Sequence, residues 1–410
     1  MDWDVVVVGA GAAGLVAAER AADRGKRTLL LEKNRQAGIK ILMSGGTRCN
    51  LTHATDARGI VTAYGPPGRF LHSALAALSP ADLVALVEAE GVRTKIEETG
   101  KIFPESNKAA DILQAFLDRL RRTNCTLALG ESLAEIEHLD DGFRLTTPLR
   151  AISASCVVIT TGGQSYPRSG TSGDGYRFAT QLGHSLVEPK PALVPITTNA
   201  TWVQALRGIT IPDMGLRVVE PGEPPRVLES RRGSLLFAHF GLTGPVALDA
   251  SRAVSGHPHP ATLHLECDFL PNVKLAQLDE SLHRQAVTSG KKQLLSLVPD
   301  EVPRRLAEAV LAQLGLSPES KAAELSKSQR AALAQTIKRA VIPVSGTRGF
   351  AKAEVTAGGV PLSEVDSRSM QSKIMPGLYL AGEVLDLDGP IGGYNFQAAF
   401  STGWLAGLRV

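Results

Sequence analysis

Four valines, Val5 to Val8, run directly into Gly9-Ala10-Gly11-Ala12-Ala13-Gly14, and an alanine-rich stretch then continues to about Arg24. A β-branched run of this length makes a short buried strand. The alanines favour a helix, and Gly25 is placed to stop it. A second apolar strand, residues 28–31, closes on Glu32. Strand, turn, helix, strand is a βαβ unit, which calls for a parallel sheet. The glycine spacing adds a chemical requirement. Gly9 allows the tight turn, Gly11 lets a pyrophosphate approach the backbone, and Gly14 lets helix and strand pack closely. Unpaired N–H groups and the positive helix end then face the phosphates. Glu32 stands where an acid bonds the hydroxyls of an adenosine ribose. The ligand expected is a dinucleotide with a free 2′-hydroxyl, FAD or NAD. Lys33 and Lys40, just beyond the acid, join Gly9 to Gly14 and Glu32 as expected cofactor contacts.

The far end of the chain separates the two cofactors. An apolar strand, residues 377–381, ends in Gly382-Glu383, and Gly389-Pro390-Ile391-Gly392-Gly393-Tyr394-Asn395-Phe396-Gln397 opens a helix. This pattern resembles the second FAD segment of the glutathione-reductase-type flavoproteins. The resemblance implies that Glu383 bonds the ribityl or pyrophosphate region and that the helix N-terminus points at the N1–C2=O edge of the flavin. Reduced flavin carries negative charge there, which a helix N-terminus stabilises. Gly382, Glu383, Gly392, Gly393, Tyr394, Asn395, Phe396 and Gln397 are therefore expected at the cofactor. Thr161, Gly162 and Gly163, after the buried strand at 156–160, resemble the middle segment of the same class and are expected there too.

Between these ends the texture changes. Residues 34–54 read as a loop around Ser44-Gly45-Gly46-Thr47-Arg48-Cys49-Asn50, with many polar backbone groups and few apolar side chains. Helical periodicity resumes near Phe70. Ser79-Pro80 starts a helix, Ser106 caps another running to about Arg122, and Asp140-Asp141-Gly142 turns a hairpin. Residues 191–270 are β-rich and broken by Pro and Gly. Residues 272–340 read as helices, at 302–314, at 327–341 and from Ser317-Pro318-Glu319. The expected architecture is α/β: a Rossmann-like FAD-binding domain (1–190 and 353–410) interrupted by a β-rich domain (191–271 and 341–352) and a helical one (272–340).

The loop narrows the resemblance. Residues 41–50, with Gly100 to Pro104, Gly170 to Gly175, Leu236 to Pro245, Val355 to Val360 and Gly382 to Gln397, are similar to the BaiN/RdsA-type NAD(P)/FAD-dependent oxidoreductases, also called aminoacetone-oxidase-family FAD-binding enzymes. The matches span nearly the whole chain. The family implies bound FAD, a split Rossmann-like domain, a β-barrel-like second domain and a small helical third one. Thr47 departs from the family, which more often has Gly at that position.

On the loop, the N–H groups of Ser44, Gly45 and Gly46 are expected to cradle phosphate or ring atoms. Arg48 is expected to offset phosphate charge or bind an anionic substrate, and Asn50 to bond a flavin carbonyl. Cys49 lies among these cofactor-lining positions. It has no partner thiol or adjacent His in sequence, which favours packing over thiol chemistry. Tyr166 and Arg168 either border the flavin or sit on a surface loop. His239 has apolar neighbours on both sides, which favours a structural His in a strand core over a general acid. Lys352 and Glu354 default to solvated charge.

A net charge of +3 is too weak to imply nucleic acid, and no apolar stretch is read as a membrane span. The four cysteines show no C-x-x-C and no metal-ligand spacing, which suits a reducing, cytoplasmic compartment. The expected partner is a small-molecule substrate, without nucleic acid or membrane. The expected reaction is hydride transfer from NAD(P)H through flavin N5 to an unsaturated acceptor. No second G-x-G-x-x-G unit is present, so any NAD(P)H binds transiently. Two alternatives stand: a flavin oxidase passing electrons from an amine to O₂, and a non-enzymatic FAD-bound redox sensor. An RNA-associated version of the latter draws only on Arg304-Arg305 and Lys338-Arg339, which solvated helix faces explain as well.

Overall fold

In the computed structural model, which describes residues 1–410, the valine run becomes β1 (Trp3–Val8), followed by α1 (Ala12–Asp23) and β2 (Thr28–Glu32). β1 is sandwiched between two parallel neighbours. Val5 lies opposite Thr28 on one side and Cys156 on the other. Val5 and Val7 enter the core on one face of the sheet and Val6 and Val8 the core on the other, so both faces are buried, which is why the run is continuous rather than alternating. The strand Ala151–Ile159 changes partner along its length. Its first half pairs antiparallel with Gly142–Thr146, and its second half pairs parallel with Leu378–Leu380. A strand from the end of the chain thus enters the sheet begun by the N-terminus. The parallel strands share one direction. The turns at Gly9, Thr160 and Gly382 therefore lie along one edge, where open α/β sheets hold their ligands.

The C-terminal helix, Tyr394–Arg409, packs on α1 through small residues. A Cβ at Gly403 would stand 2.2 Å from the Ala13 carbonyl oxygen, and one at Gly407 would stand 2.5 Å from that of Ala17. Neither position has room for a side chain, so the two backbones approach as closely as helices can.

Several local expectations change. Residues 34–54 are not loop throughout: α2 (Ile39–Thr47) begins as a helix and breaks at Ser44, Gly45 and Gly46. Thr52–His53 joins a three-stranded antiparallel sheet with Lys101–Pro104 and Thr94–Ile96. Lys108, not Ser106, is the N-cap of the helix Ala109–Arg121; Ser106 Oγ bonds Asp111 instead. Ser317-Pro318-Glu319 starts no α-helix, and only a 3₁₀ turn, Ala322–Glu324, follows. The helix Lys327–Lys338 stops before Val341, which belongs to the strand Ala340–Pro343. Residues 66–88 are long and apolar enough to cross a membrane by composition. They are broken into a 3₁₀ turn and two short helices, with a capping box from Ser79 at the break, and Ala74, Leu75, Leu83 and Val87 are buried in the core.

The chain divides into two compact units, Met1–Pro191 with Glu354–Val410, and Ala192–Ala353. In the second, seven antiparallel strands run from Ala340–Pro343 at one edge to Gly346–Thr347 at the other. Only two residues separate these edge strands in sequence. Val344 N–H donates to the Leu263 carbonyl, and Ser345 N–H donates to the Thr197 carbonyl at the other side of the sheet. Such a short link reaches about 11 Å at most, so the sheet must curl until its edges meet, a barrel-like closure. The helices Leu275–Thr288, Arg304–Gln313 and Lys327–Lys338 bury Leu278, Leu282, Leu306, Leu311 and Ile337 in the same core as the sheet. The β-rich and helical regions expected separately are one unit.

Gly403→Ala is expected to push its methyl into the Ala13 carbonyl and destabilise the protein by about 1–3 kcal/mol. Urea denaturation with an unchanged m-value measures this directly.

Candidate functional site

The turn after β1 divides its three glycines by role. Gly9 has a φ of 102°, and a Cβ there would stand 2.8 Å from the Thr160 carbonyl. A Cβ at Gly14 would collide with the Gly9 carbonyl at 1.8 Å. These two are required by the turn and by close packing. Gly11 differs, because a Cβ there would meet nothing within 4 Å. Its side is left open at the N-terminus of α1, which no side chain caps. Open space beside uncapped N–H groups suits a phosphate. Thr160 Oγ1 holds the turn from the neighbouring strand, bonding the Val8 and Gly9 carbonyls at 2.9 Å each. The adjacent Thr161 Oγ1 is buried without a hydrogen-bond partner and packs against Gly175, where a Cβ would stand 2.0 Å from it.

Glu32 is buried at the end of β2. Its Oε2 accepts from Ala10 N–H at 2.9 Å, and its Oε1 accepts from Asn34 N–H and Nδ2. Three of its four acceptor sites are filled, one by the glycine turn and two by Asn34, leaving one for a ribose hydroxyl. Lys33 turns away from this acid and pairs with Asp174 at 2.5 Å and Ser172 at 2.7 Å. Lys40 behaves differently. Its Nζ bonds Glu383 Oε2 at 2.6 Å and Ser165 Oγ at 2.7 Å. Glu383 Oε1 accepts from Ser165 Oγ and from Thr356 N–H. Residues from three separate segments thus fix this carboxylate.

The loop expected to line the cofactor splits. Gly45 and Gly46 have positive φ, and so do Thr47 (70°) and Cys49 (61°). Thr47 occupies a conformation that a β-branched residue rarely takes, and its departure from the family's glycine is visible as backbone strain. Arg48 is engaged within the protein: it pairs with Glu97 at 2.6 Å, lies over the Phe103 ring at 4.1 Å and bonds the Gly45 carbonyl. That arrangement spends its charge on a carboxylate rather than on a phosphate. Cys49 is fully buried, and burial pushes its thiol up to about 12, so at neutral pH it is a protonated core residue and not a cofactor contact. The Asn50 amide oxygen accepts from Gly393 N–H at 2.9 Å, and its nitrogen donates to the Thr52 carbonyl. It ties two loops together where a bond to a flavin carbonyl was expected.

The same clamp holds the far segment. Gly392 and Gly393 have φ values of 132° and 96°, and no side chain caps the helix that follows. His53 Nδ1 lies 3.1 Å from the Gly392 carbonyl and must donate to it, while the His53 ring stacks on Tyr394 at 4.7 Å. Asn395 folds back on Gly389 and Pro390. Gln397 is completely buried and bonds Thr52, Ser401 and the Leu78 carbonyl. It is a hub of the fold, with both amide protons engaged and no surface left to face a ligand. Phe396 packs toward Phe400 in the core. Gly382 N–H donates to Thr402, and a Cβ there would meet the Ala13 side chain. A Cβ at Gly162 would touch Thr171, and one at Gly163 would press on Thr356 and Tyr176. Thr160 opens the middle-segment match read from the sequence, whereas Thr52, His53, Tyr64, Ser165 and Thr356 were missed. Only Thr356 carried a signal, within the Val355 to Val360 match.

Other candidates resolve as structure. His239 is exposed on a hairpin end, edge-on to Phe240, and is not a core residue. Arg168 is exposed on a 3₁₀ turn. Arg304 pairs with Glu308, Arg305 with the Ala205 carbonyl, Lys338 with Asp268 and Arg339 with Glu266. His184 joins Glu364 and Ser372 at 2.7 and 2.8 Å, the order of a hydrolytic triad. Ser372 Oγ, however, accepts from Ile374 and Met375 N–H and is only 7% exposed. With its lone pairs engaged, it is a clamp rather than a nucleophile.

Two outcomes follow from the loop. Thr47→Gly is expected to relieve left-handed strain and stabilise the protein by about 1 kcal/mol, net of the added chain entropy, measured as a raised urea midpoint. Alkylation of Cys49 at pH 8 is expected to track global unfolding, followed by mass spectrometry; labelling of the folded protein would contradict the buried thiol.

Residues 3–409 match the family described as the HI0933-like protein Rossmann domain. The chain is 33% identical over 405 residues to the ribosomal RNA dihydrouridine synthase of Escherichia coli strain K12, covering 98% of this chain and 96% of that one. It is 28% identical over 404 residues to the 3-dehydro-bile acid delta(4,6)-reductase of Clostridium scindens, covering 98% and 97%. Among solved structures, it is similar to the 3-ketosteroid-delta4-(5alpha)-dehydrogenase of Rhodococcus jostii RHA1, with a TM-score of 0.50 at 15% identity over 99% of this chain and 96% of that one. The last likeness is one of fold. With the sheet-edge turns and uncapped helices described above, these matches place the chain in the HI0933-like Rossmann family of FAD-binding oxidoreductases.

Proposed function

We propose that the protein reduces a carbon–carbon double bond conjugated with a carbonyl, taking its electrons from NADH or NADPH. One observation carries this reading: the uncapped N-termini of two helices, α1 and Tyr394–Arg409, come from opposite ends of the chain into one compact unit. One suits a diphosphate, and the other suits the anionic edge of a reduced ring system. Gly9 to Gly14 would hold the diphosphate of FAD. Glu32 would hold its ribose, and Glu383, fixed by Lys40, Ser165 and Thr356, its ribityl region. FAD, when bound, supplies hydride transfer. The chain's own residues bind and orient, and the first turn at Tyr394 offsets developing negative charge.

The acceptor class comes from the relatives. A dihydrouridine synthase saturates a ring double bond conjugated with a carbonyl, and a 3-dehydro-bile acid delta(4,6)-reductase acts on double bonds conjugated with a ketone. A steroid enone and a uracil ring in RNA are two carriers of one reactive group. The four unpaired cysteines support a reducing, cytoplasmic setting.

Purified protein is expected to be yellow and to bleach on anaerobic mixing with NADH or NADPH. The colour should return on adding a conjugated enone steroid or unmodified ribosomal RNA, and the two additions separate the two carriers. A flavin that stays oxidised with both nicotinamides but bleaches with an amine would sink the reductase reading in favour of an oxidase.

A further inference from the structure

Tyr64 follows the helix Ala57–Ala63 and is buried. Its ring lies flat on Gly389: a Cβ there would stand 2.6–3.0 Å from three ring atoms. Its hydroxyl donates to the Tyr394 carbonyl at 3.0 Å and reaches Asn395 Oδ1 at 3.4 Å. Burial, together with the charges of Asp388 and Glu383, pushes its pKa well above the usual phenol value, so the hydroxyl remains a donor at every working pH. Asn50, His53 and Asn395 hold the surrounding loop. Tyr64 is different, because it grips the first peptide group of the helix itself.

That peptide group is planar, with its C=O and the next N–H pointing in opposite directions. Fixing the Tyr394 carbonyl therefore fixes the direction of the Asn395 N–H, which belongs to the helix N-terminus. A hydrogen bond to the carbonyl also polarises the peptide and strengthens the N–H as a donor. The influence of a helix terminus is concentrated in its first turn, so a grip at this peptide acts where it counts most.

We propose that Tyr64 is a positioning residue that sets the redox poise of the site, by orienting and polarising the first peptide of the C-terminal helix. The proposal rests on the FAD reading above. Tyr64→Phe keeps the ring on Gly389 and removes only the hydroxyl. It is expected to retain FAD and nearly all thermal stability. Its flavin should become harder to reduce, with the equilibrium against a reference dye shifting about fivefold toward oxidised flavin, the worth of one hydrogen bond. Hydrogen exchange at residues 394–396 should quicken in the same variant, with or without the cofactor. Replacing Tyr64 by 3,5-difluorotyrosine, a stronger donor, should move the dye equilibrium the other way, which keeps the test available if Tyr64→Phe does not fold. An unchanged dye equilibrium in either folded variant overturns the proposal and leaves the FAD reading intact. Wild-type protein that carries no flavin and takes none up overturns the FAD reading itself.

Discussion

The contact on which the rest depends is the seam between α1 and the C-terminal helix. Gly403 and Gly407 present bare backbone to the Ala13 and Ala17 carbonyls. This is van der Waals packing at its closest, with Arg24 at the end of α1 donating to the Val410 and Gly407 carbonyls beyond it. It nevertheless locates two polar features, because each helix begins at a glycine turn with no side-chain cap. Pulling the helices together fixes their positive ends within one unit. A binding site for an anionic, two-ended cofactor results from apolar packing some distance away.

Around that seam, the polar residues mostly hold the protein's own backbone. Thr160 bonds the carbonyls of the glycine turn, Glu32 accepts from its Ala10 N–H, and Asn50 and His53 bond the two glycines before the C-terminal helix. Glu383 is held by Lys40, Ser165 and Thr356. Side chains satisfied in this way cannot relax, so the backbone groups they frame stay where a ligand needs them. The residues that bracket the site are therefore more numerous than those left to touch a cofactor.

How much of this was legible in sequence follows the range of each interaction. Gly9, Gly11, Gly14 and Glu32 are local: turn, helix start and strand end lie within one βαβ unit, and their spacing alone encodes their geometry. The Asp140 to Gly142 hairpin was legible for the same reason. Arg48, Cys49 and Gln397 were assigned to the cofactor by neighbourhood, but a chain passing close to a ligand still points many side chains inward. Gln397 bonds Thr52 and Leu78, and Arg48 bonds Glu97, partners that no local pattern announces. The helix opening at Ile39 was hidden by the glycines that break it. Tyr64 carried no signal, since its role exists only once Gly389 and Tyr394 are folded against it.

The same seam has a consequence for how the chain is made. The N-terminal helix leaves the ribosome early, with Ala13 and Ala17 shaped to fit a helix almost the full length of the chain away. The strand Leu378–Leu380 that completes the long edge of Ala151–Ile159 is also late. Meanwhile the unit Ala192–Ala353 holds its own core and is synthesised whole between the two halves. Domains generally fold as they emerge, so the inserted unit can finish while the first unit still waits for its last strand and helix. Any nascent chain lacking those residues carries an exposed groove along α1 and half a cofactor cradle. Capture of the cofactor thus has to wait for the strand Leu378–Leu380 and the helix that follows it.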